Sequence, residues 1–269
     1  MSAFIHLVCD YAQGDMAWAE VMSALVSKLH DDTRIHTSSV HAFDTVSTGF
    51  IVAQLALANQ DLRPKNLLVF ANTAPRKDRK EARANNEGEG LLFATLRNGV
   101  QVLAVNSGYS LSFVRSEIQE LWSTNVEAVG SQFRSRDYFP IAVSKASRGD
   151  FSFINHKLDK METIPAEPND VIGYIDSFGN LKTTIRKEDE KVAALEAGTR
   201  LKVQIGNHVS TATVATGSFN VSEGDLAFAP GSSGHERRYW ELFKRGGSAS
   251  DEFCHPKSGD QIKIRALSP

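Results

Sequence analysis

The first apolar stretch, Phe4 to Val8, is short, carries the β-branched Ile5 and Val8, and ends at Asp10 before Ala12, Gln13 and Gly14. It reads as a strand that runs into a loop. From Asp15 onward the apolar positions Trp18, Val21, Met22, Leu25, Val26 and Leu29 recur at helical spacing. Asp15 stands where a carboxylate takes up free N–H groups of a first helical turn. A second helix fits Thr48 to Asn59, and Asn66 to Ala71 reads as a buried strand entering Asn72-Thr73-Ala74-Pro75. Val100 to Val105 repeats that pattern and stops at Asn106-Ser107-Gly108. Strands alternating with helical segments predict an α/β sheet, and such sheets bind ligands at the carboxyl ends of their strands. Asp10, Asn72 and Asn106 are therefore expected to share one rim.

Beyond Asp170 the pattern changes to short, mostly alternating runs: Val171 to Ile175, Leu181 to Ile185, Leu201 to Ile205, Val209 to Ala215, Tyr239 to Lys244 and Gln261 to Arg265. Turn signals such as Phe178-Gly179-Asn180 and Gly206-Asn207 separate them, which predicts an antiparallel sheet or small barrel. The expected organisation is an α/β domain with a central sheet over 1–160, a linker over 161–170 that includes Pro165 and Pro168, and a smaller antiparallel β-barrel domain over 171–269. Pro75 to Gly90 is charged, mixed in sign and without apolar periodicity, so it reads as a solvated surface loop or, alternatively, a lid.

At 269 residues and 41% hydrophobic the chain can bury a sizeable core. Lys and Arg total 30 against 32 Asp and Glu, a formal net charge of -2, so no whole-molecule field favours a nucleic acid. Two cysteines, Cys9 and Cys254, suit a reducing cytoplasm better than a disulfide framework. The first residues lack the basic flank and apolar core of a signal peptide, and no run approaches the roughly 20 apolar residues of a membrane span. His36 and His41 are joined by no Cys or His at zinc-like spacing, so no metal is expected. His6 reads as a packed strand residue. The Gly-x-Ser-x-Gly elbow and the Gly-x-Gly-x-x-Gly dinucleotide loop are both absent.

Four stretches taken together resemble a known family. Val8-Cys9-Asp10-Tyr11-Ala12-Gln13-Gly14-Asp15 is similar to the strand-end Asp-Phe-Gly-x-x-Asp opening of the S-adenosylmethionine (SAM) hydroxide adenosyltransferases and their relatives, the SAM-dependent chlorinases and fluorinases. Val40-His41-Ala42-Phe43-Asp44 followed by Gly49-Phe50 resembles the stretch after that family's second strand. Ile175-Asp176-Ser177-Phe178-Gly179-Asn180-Leu181-Lys182-Thr183-Thr184-Ile185 resembles its Asp-x-Phe-Gly-Asn-x-x-Thr-Asn signature, the most specific match. Tyr239 to Ala249 resembles its leucine-glutamate-isoleucine strand and Gly-Ser-Ala turn. The resemblance implies a homotrimer with SAM sites between the N domain of one subunit and the C domain of the next. It also implies a reaction in which a nucleophile attacks ribose C5′ and expels methionine. Water yields adenosine and halide yields a 5′-halo-adenosine, with no metal or redox cofactor because the sulfonium is already a good leaving group.

An in-line displacement needs a held ribose, a gripped methionine and a dry slot for the nucleophile. On the resemblance, Asp10 would accept both ribose hydroxyls, Phe178 would stack on adenine and Asn180 would bond the edge of that base. Asp176 would hold the methionine ammonium and Ser233 the carboxylate, with Arg245 and Ala249 as further contacts. Bland readings stand beside these: Asp10 as a helix cap, Phe178-Gly179-Asn180 as a plain hairpin turn, Asp176 as an exposed strand-end carboxylate, Ser233 in an ordinary loop and Arg245 as a solvated turn residue.

The departures from the family pattern lie at the reacting end. Family hydrolases carry an Asp-Pro-Gly-x-Gly-Thr loop and a His in Phe-His-Gly-Arg-Asp. Aligning on Pro75 puts Ala74 in the acidic position, and Phe133-Arg134-Ser135-Arg136-Asp137 puts Arg134 in place of the His. Asn106-Ser107-Gly108 is a partial match to an Asn-Asn-Gly pocket motif. Phe133-x-Ser135-Arg136 resembles the halogenase version, in which the serine contacts halide, but Lys77 stands where the halogenase Thr would be. Arg134, Arg76, Lys77 and Arg79 would either gather charge for an anionic ligand or simply solvate their loop. Asn72, Arg134 and Ser135 are thus the catalytic candidates, with Asp10, Asn106, Phe133, Asp176, Phe178, Asn180, Ser233, Arg245 and Ala249 as ligand contacts. The leading expectation is hydrolysis of SAM to adenosine. The alternatives are an inactive member that binds SAM or a nucleoside, and a halide-dependent adenosyl transferase.

Overall fold

The computed structural model describes residues 3–75, 80–82, 87–127 and 129–267. They fall into two units, Met1–Glu167 and Pro168–Pro269. The first unit contains, in chain order, β1 (Phe4–Cys9), α1 (Met16–Val26), β2 (Arg34–Ser39), α2 (Thr45–Ala56), β3 (Leu67–Asn72), β4 (Leu91–Leu96), β5 (Gln101–Val105), β6 (Ile118–Thr124), α3 (Arg134–Asp137), α4 (Phe139–Ser147) and β7 (Ile154–Lys157). Its sheet runs β2-β1-β3-β5-β4-β6-β7. The strands β2, β1, β3 and β5 are parallel, whereas β4, β6 and β7 join antiparallel, so the sheet is mixed.

Register sets the rim. Cys9 pairs with Asn72 across β1 and β3, and Ala71 pairs with Ala104 across β3 and β5. The carboxyl ends that lead to Asp10, Asn72 and Asn106 consequently lie side by side. One sheet face sends Ile5, Leu7, Phe70 and Leu103 against Val21 and Leu25 of α1 and Phe139, Ala142 and Val143 of α4. Asp15 caps α1 by accepting the Ala17 N–H at 2.9 Å. That helix ends at Val26, which is exposed, so the apolar spacing overshot by one position, while Leu29 still packs on the core. Helix α2 begins earlier than the apolar spacing suggests because Asp44 caps it, accepting the Ser47 N–H at 2.8 Å. Its first turn, Thr45-Val46-Ser47, is buried although two of the three residues are polar.

The second unit contains β8 (Ile172–Ile175), β9 (Leu181–Arg186), β10 (Arg200–Ile205), β11 (His208–Val214), β12 (Leu226–Pro230), β13 (Tyr239–Lys244) and β14 (Ile262–Ala266). The order is β14-β10-β11-β12-β13-β9-β8, and an antiparallel bridge between Val171 and Gln261 ties the two edges, curling the sheet. The expectation of a wholly antiparallel sheet is corrected at one pair: β11 and β12 are parallel, with Ala212 opposite Leu226. Parallel neighbours need a crossover in place of a hairpin, and residues 215–225 supply it. Strand β12 escaped the alternation reading because Ala227 and Ala229 are small, yet both of its faces are buried. Leu226 and Phe228 join the main core, where Phe228 stacks on Trp240 at 4.7 Å, and the two alanines pack with Ala215, Val221 and Phe243.

Candidate functional site

At the carboxyl edge of the first sheet lies a cavity of about 590 Å³. Asp10, Asn72, Phe133, Arg134 and Ser135, drawn from three separate stretches of sequence, all line it, together with Tyr11, Phe43, Ala74 and Glu89. Asp10 follows β1, and its Oδ2 accepts the Phe43 N–H at 3.0 Å. Phe43 adopts φ +67, a conformation that bulky L-residues rarely take, and its ring is half exposed. The carboxylate that sequence reading assigned to a ribose or a helix cap thus also pins the loop that carries Phe43. Capping of α1 falls to Asp15 instead.

Ser135 is buried in α3 at the centre of a hydrogen-bond relay. Tyr11 Oη donates to Ser135 Oγ at 3.2 Å, and Ser135 Oγ donates to Asn72 Oδ1 at 3.0 Å. In this arrangement the carbonyl oxygen of the Asn72 amide accepts the Ser135 proton. Asn72 Nδ2 is then left as a buried donor with no hydrogen-bond partner among the described residues. The loop before α3 is held by Ser131, whose Oγ accepts the Phe133 N–H at 2.8 Å and donates to Asp137 at 2.5 Å. Hydrogen bonds from Arg136 and then Ser131 hold the Asp137 carboxyl below the usual carboxylate range. Phe133 meets Tyr11 edge to face at 5.9 Å and carries the Arg136 guanidinium over its ring at 5.1 Å.

Arg134 does not present a bare charge to the cavity. Its Nη1 donates to the Glu89 carbonyl at 2.5 Å and its Nη2 lies 3.6 Å from Glu89 Oε2, with both side chains largely buried. The guanidinium lies so close over Gly88 that a Cβ there would collide with it. Glu89 Oε1 is buried and has no partner among the described residues. Glu89 belongs to the charged stretch expected to be solvated, and there the structure corrects the reading: Glu89 is only 5% exposed. Arg76, Lys77 and Arg79 lie outside the described residues. Asn106 is exposed and borders a separate narrow cleft with Ser107, Gly108 and Pro165.

In the second unit the two quoted motifs meet. Asp176 Oδ1 accepts the N–H groups of Phe178 and Asn180, each at 3.0 Å, and Oδ2 accepts from Asn180 Nδ2 at 3.0 Å. Gly179, at φ +75, sits against Ser248 so closely that a side chain would collide, and its carbonyl accepts the Ser250 N–H at 2.9 Å. Ala249 is buried beneath this contact. The turn leaves the Phe178 ring 78% exposed. Lys182 Nζ then links Asp176 at 3.8 Å to Glu241 Oε1 at 2.8 Å. Glu241 in turn accepts from the Ser232 N–H at 3.1 Å and the Ser233 hydroxyl at 3.4 Å. Arg245 donates to the Val221 carbonyl at 2.7 Å and lies over the Phe219 ring.

Sequence reading did not single out Tyr11, Phe43, Glu89, Lys182 or Glu241 for a role at a site. Glu241 had a signal, a carboxylate inside the apolar strand Tyr239–Lys244, and Tyr11 adjoins Asp10 in a quoted motif. Glu89, between Gly88 and Gly90 at the end of a charged stretch, had none. His6 is packed, as read: its Nε2 lies 2.9 Å from Ser38 Oγ, and burial followed by the neighbouring His36 pushes its pKa down to about 4. Among the described residues no group of three His, Cys, Asp or Glu is arranged to hold a metal, and no helix is long and apolar enough to cross a membrane.

Comparison with known proteins adds a family likeness for one unit and a fold likeness for the whole chain. Residues 171–263 match the family model described as the SAM hydroxide adenosyltransferase C-terminal domain. An uncharacterized conserved protein from Thermotoga maritima has a similar structure, with a TM-score of 0.75 at 18% identity over 97% of this chain and 99% of that one. A conserved hypothetical protein from Thermus thermophilus is similar with a TM-score of 0.68 at 16% identity, covering 99% of this chain and 100% of that one. No curated protein matches. The second unit is therefore similar to a domain of SAM-utilising enzymes, and the two-unit fold recurs in proteins of distant sequence.

Proposed function

We propose that this protein displaces methionine from ribose C5′ of SAM with water, giving adenosine. The observation that carries the reading is the convergence of Asp10, Asn72, Phe133, Arg134 and Ser135 on one cavity at the carboxyl rim of the first sheet. The likeness of residues 171–263 to the C-terminal domain of SAM hydroxide adenosyltransferases supports it. In this reading Asp10 accepts ribose hydroxyls, Phe178 lies on the adenine, and the Asp176 and Ser233 loops take the amino-acid end of the ligand. The C5′–S bond breaks with its electron pair passing to sulfur as the water oxygen bonds to C5′. A homotrimer belongs to the same proposal.

Ser135 favours water over halide in this account. Its proton is directed at Asn72 Oδ1, whereas a halide contact would need that proton. A second reading, a binder without turnover, is favoured by Ala74, which places only a methyl group at the aligned acidic position. Titration calorimetry with SAM tests binding. Hydrogen bonds to a charged group contribute about 1.5–3 kcal/mol each, so Asp10→Ala should weaken binding about 100-fold. Unaltered affinity would remove Asp10 from the site, and binding of SAM without any nucleoside product would favour the second reading.

A further inference from the structure

We infer that Glu89 is the residue that takes the proton from the attacking water and keeps anionic nucleophiles out, an assignment that rests on the SAM reading. Two facts about the cavity lead to it. The only guanidinium lining it among the described residues, Arg134, is gripped by the carbonyl and the Oε2 of Glu89. Two buried polar atoms on the lining residues, Asn72 Nδ2 and Glu89 Oε1, have no partner among the described residues.

Leaving a buried donor or acceptor unmade is costly, so such atoms mark where a ligand group or ordered water completes the structure. One orphan is a donor and the other an acceptor. Water can satisfy either kind of atom, since it accepts from an amide and donates to a carboxylate oxygen. A halide or another anion meets only the first and is repelled by Glu89. The oxygen of Glu89 that contacts Arg134 is oriented by that contact, and the other is kept for the water proton. A Cβ at residue 88 would collide with the guanidinium, so Gly88 permits the close approach of Arg134. The acid missing at Ala74 is thereby supplied from the opposite end of the same charged stretch.

The step balances. The water oxygen forms a bond to C5′, the C5′–S bond breaks, its electron pair becomes the thioether lone pair of methionine, and the water proton passes to Glu89 and on to solvent. Removal of the carboxylate removes the negative charge that repels an anion from the cavity. Azide then attacks C5′ directly, giving 5′-azido-5′-deoxyadenosine and methionine with no proton to remove.

The experiment measures nucleoside products and kinetics with SAM for the wild-type protein, Glu89→Gln and Glu89→Ala, each with and without azide. A lost general base is expected to lower kcat of Glu89→Gln by about 100-fold or more, with KM changed by less than about threefold. Glu89→Ala should form the azido nucleoside, and wild type in azide should form adenosine alone. Wild-type kcat in Glu89→Gln would overturn the base assignment while leaving the SAM reading intact. Azido product from wild type would overturn the exclusion of anions, a result that does not depend on how well the variants fold. Absence of any turnover by wild type would overturn the Glu89 assignment, and absence of SAM binding as well would overturn the SAM reading with it.

Discussion

The polar groups around the first unit's cavity and those of the network from Asp176 to Glu241 in the second unit are arranged in opposite ways. Around the first unit's cavity they are left incomplete: the relay from Tyr11 through Ser135 ends on Asn72 with a spare amide N–H, and Glu89 keeps one carboxylate oxygen unpartnered among the described residues. In the second unit Asp176, Asn180, Lys182, Glu241 and Ser233 satisfy one another, and what they leave exposed is an aromatic ring, Phe178. An incomplete polar floor selects by chemistry, since whatever fills it must return the missing hydrogen bonds. A satisfied network selects by shape, because it holds a flat apolar surface still.

Lys182 is the sharpest place to break that contrast. It and Glu241 are mostly buried, so Lys182→Met leaves a carboxylate without its partner and should destabilise the second unit by about 3–5 kcal/mol in urea unfolding. Lys182→Met combined with Glu241→Gln should recover a large part of the loss, because the charge goes while the acceptor stays. A small effect of Lys182→Met alone would mean that the network is solvated after all.

The next effect belongs to the first unit and depends on pH. His6 has a folded pKa of about 4 against an ordinary value of 6.5. The unfolded chain binds the extra proton between those limits, so stability falls as pH drops through that window, by up to roughly 3 kcal/mol. Urea midpoints of the wild type should therefore drop from about pH 7.5 to about pH 4.5, and His6→Gln should flatten that part of the slope. A parallel decline in both proteins would place the cause in other groups.

Phe178→Ala gives the smallest change in stability and separates the two roles most cleanly. The ring is exposed, so unfolding should move by less than about 0.5 kcal/mol. Loss of base stacking should still weaken SAM binding by about tenfold. Unfolding that shifts with binding unchanged would make Phe178 a packing residue.

How much of this was legible beforehand depends on the range of the interactions involved. The strand ends at Asp10, Asn72 and Asn106 could be read because each residue ends an apolar run, a local property, but that Asn106 borders a separate cleft could not. The Asp15 cap was readable for the same reason. The parallel entry of β12 could not be read, since it is decided by where residues 215–225 cross and not by the alternation of Leu226 to Pro230. The burial of Glu89 was hidden likewise, because Arg134 lies 45 residues further along the chain and only the fold brings the two together. Asp176 and Asn180 were legible as a pair of site candidates, but their bonds to each other follow from the turn at Gly179.

In the proposed reaction water is the nucleophile, selected by the polar atoms that line the first cavity. Incubation with SAM in oxygen-18 water, with and without chloride or fluoride, followed by mass spectrometry of the nucleosides, tests it most directly. Adenosine carrying the heavy oxygen at its 5′-hydroxyl is expected, and the product is expected to be unchanged when halide is present. A 5′-halo nucleoside, or no nucleoside at all, would contradict it.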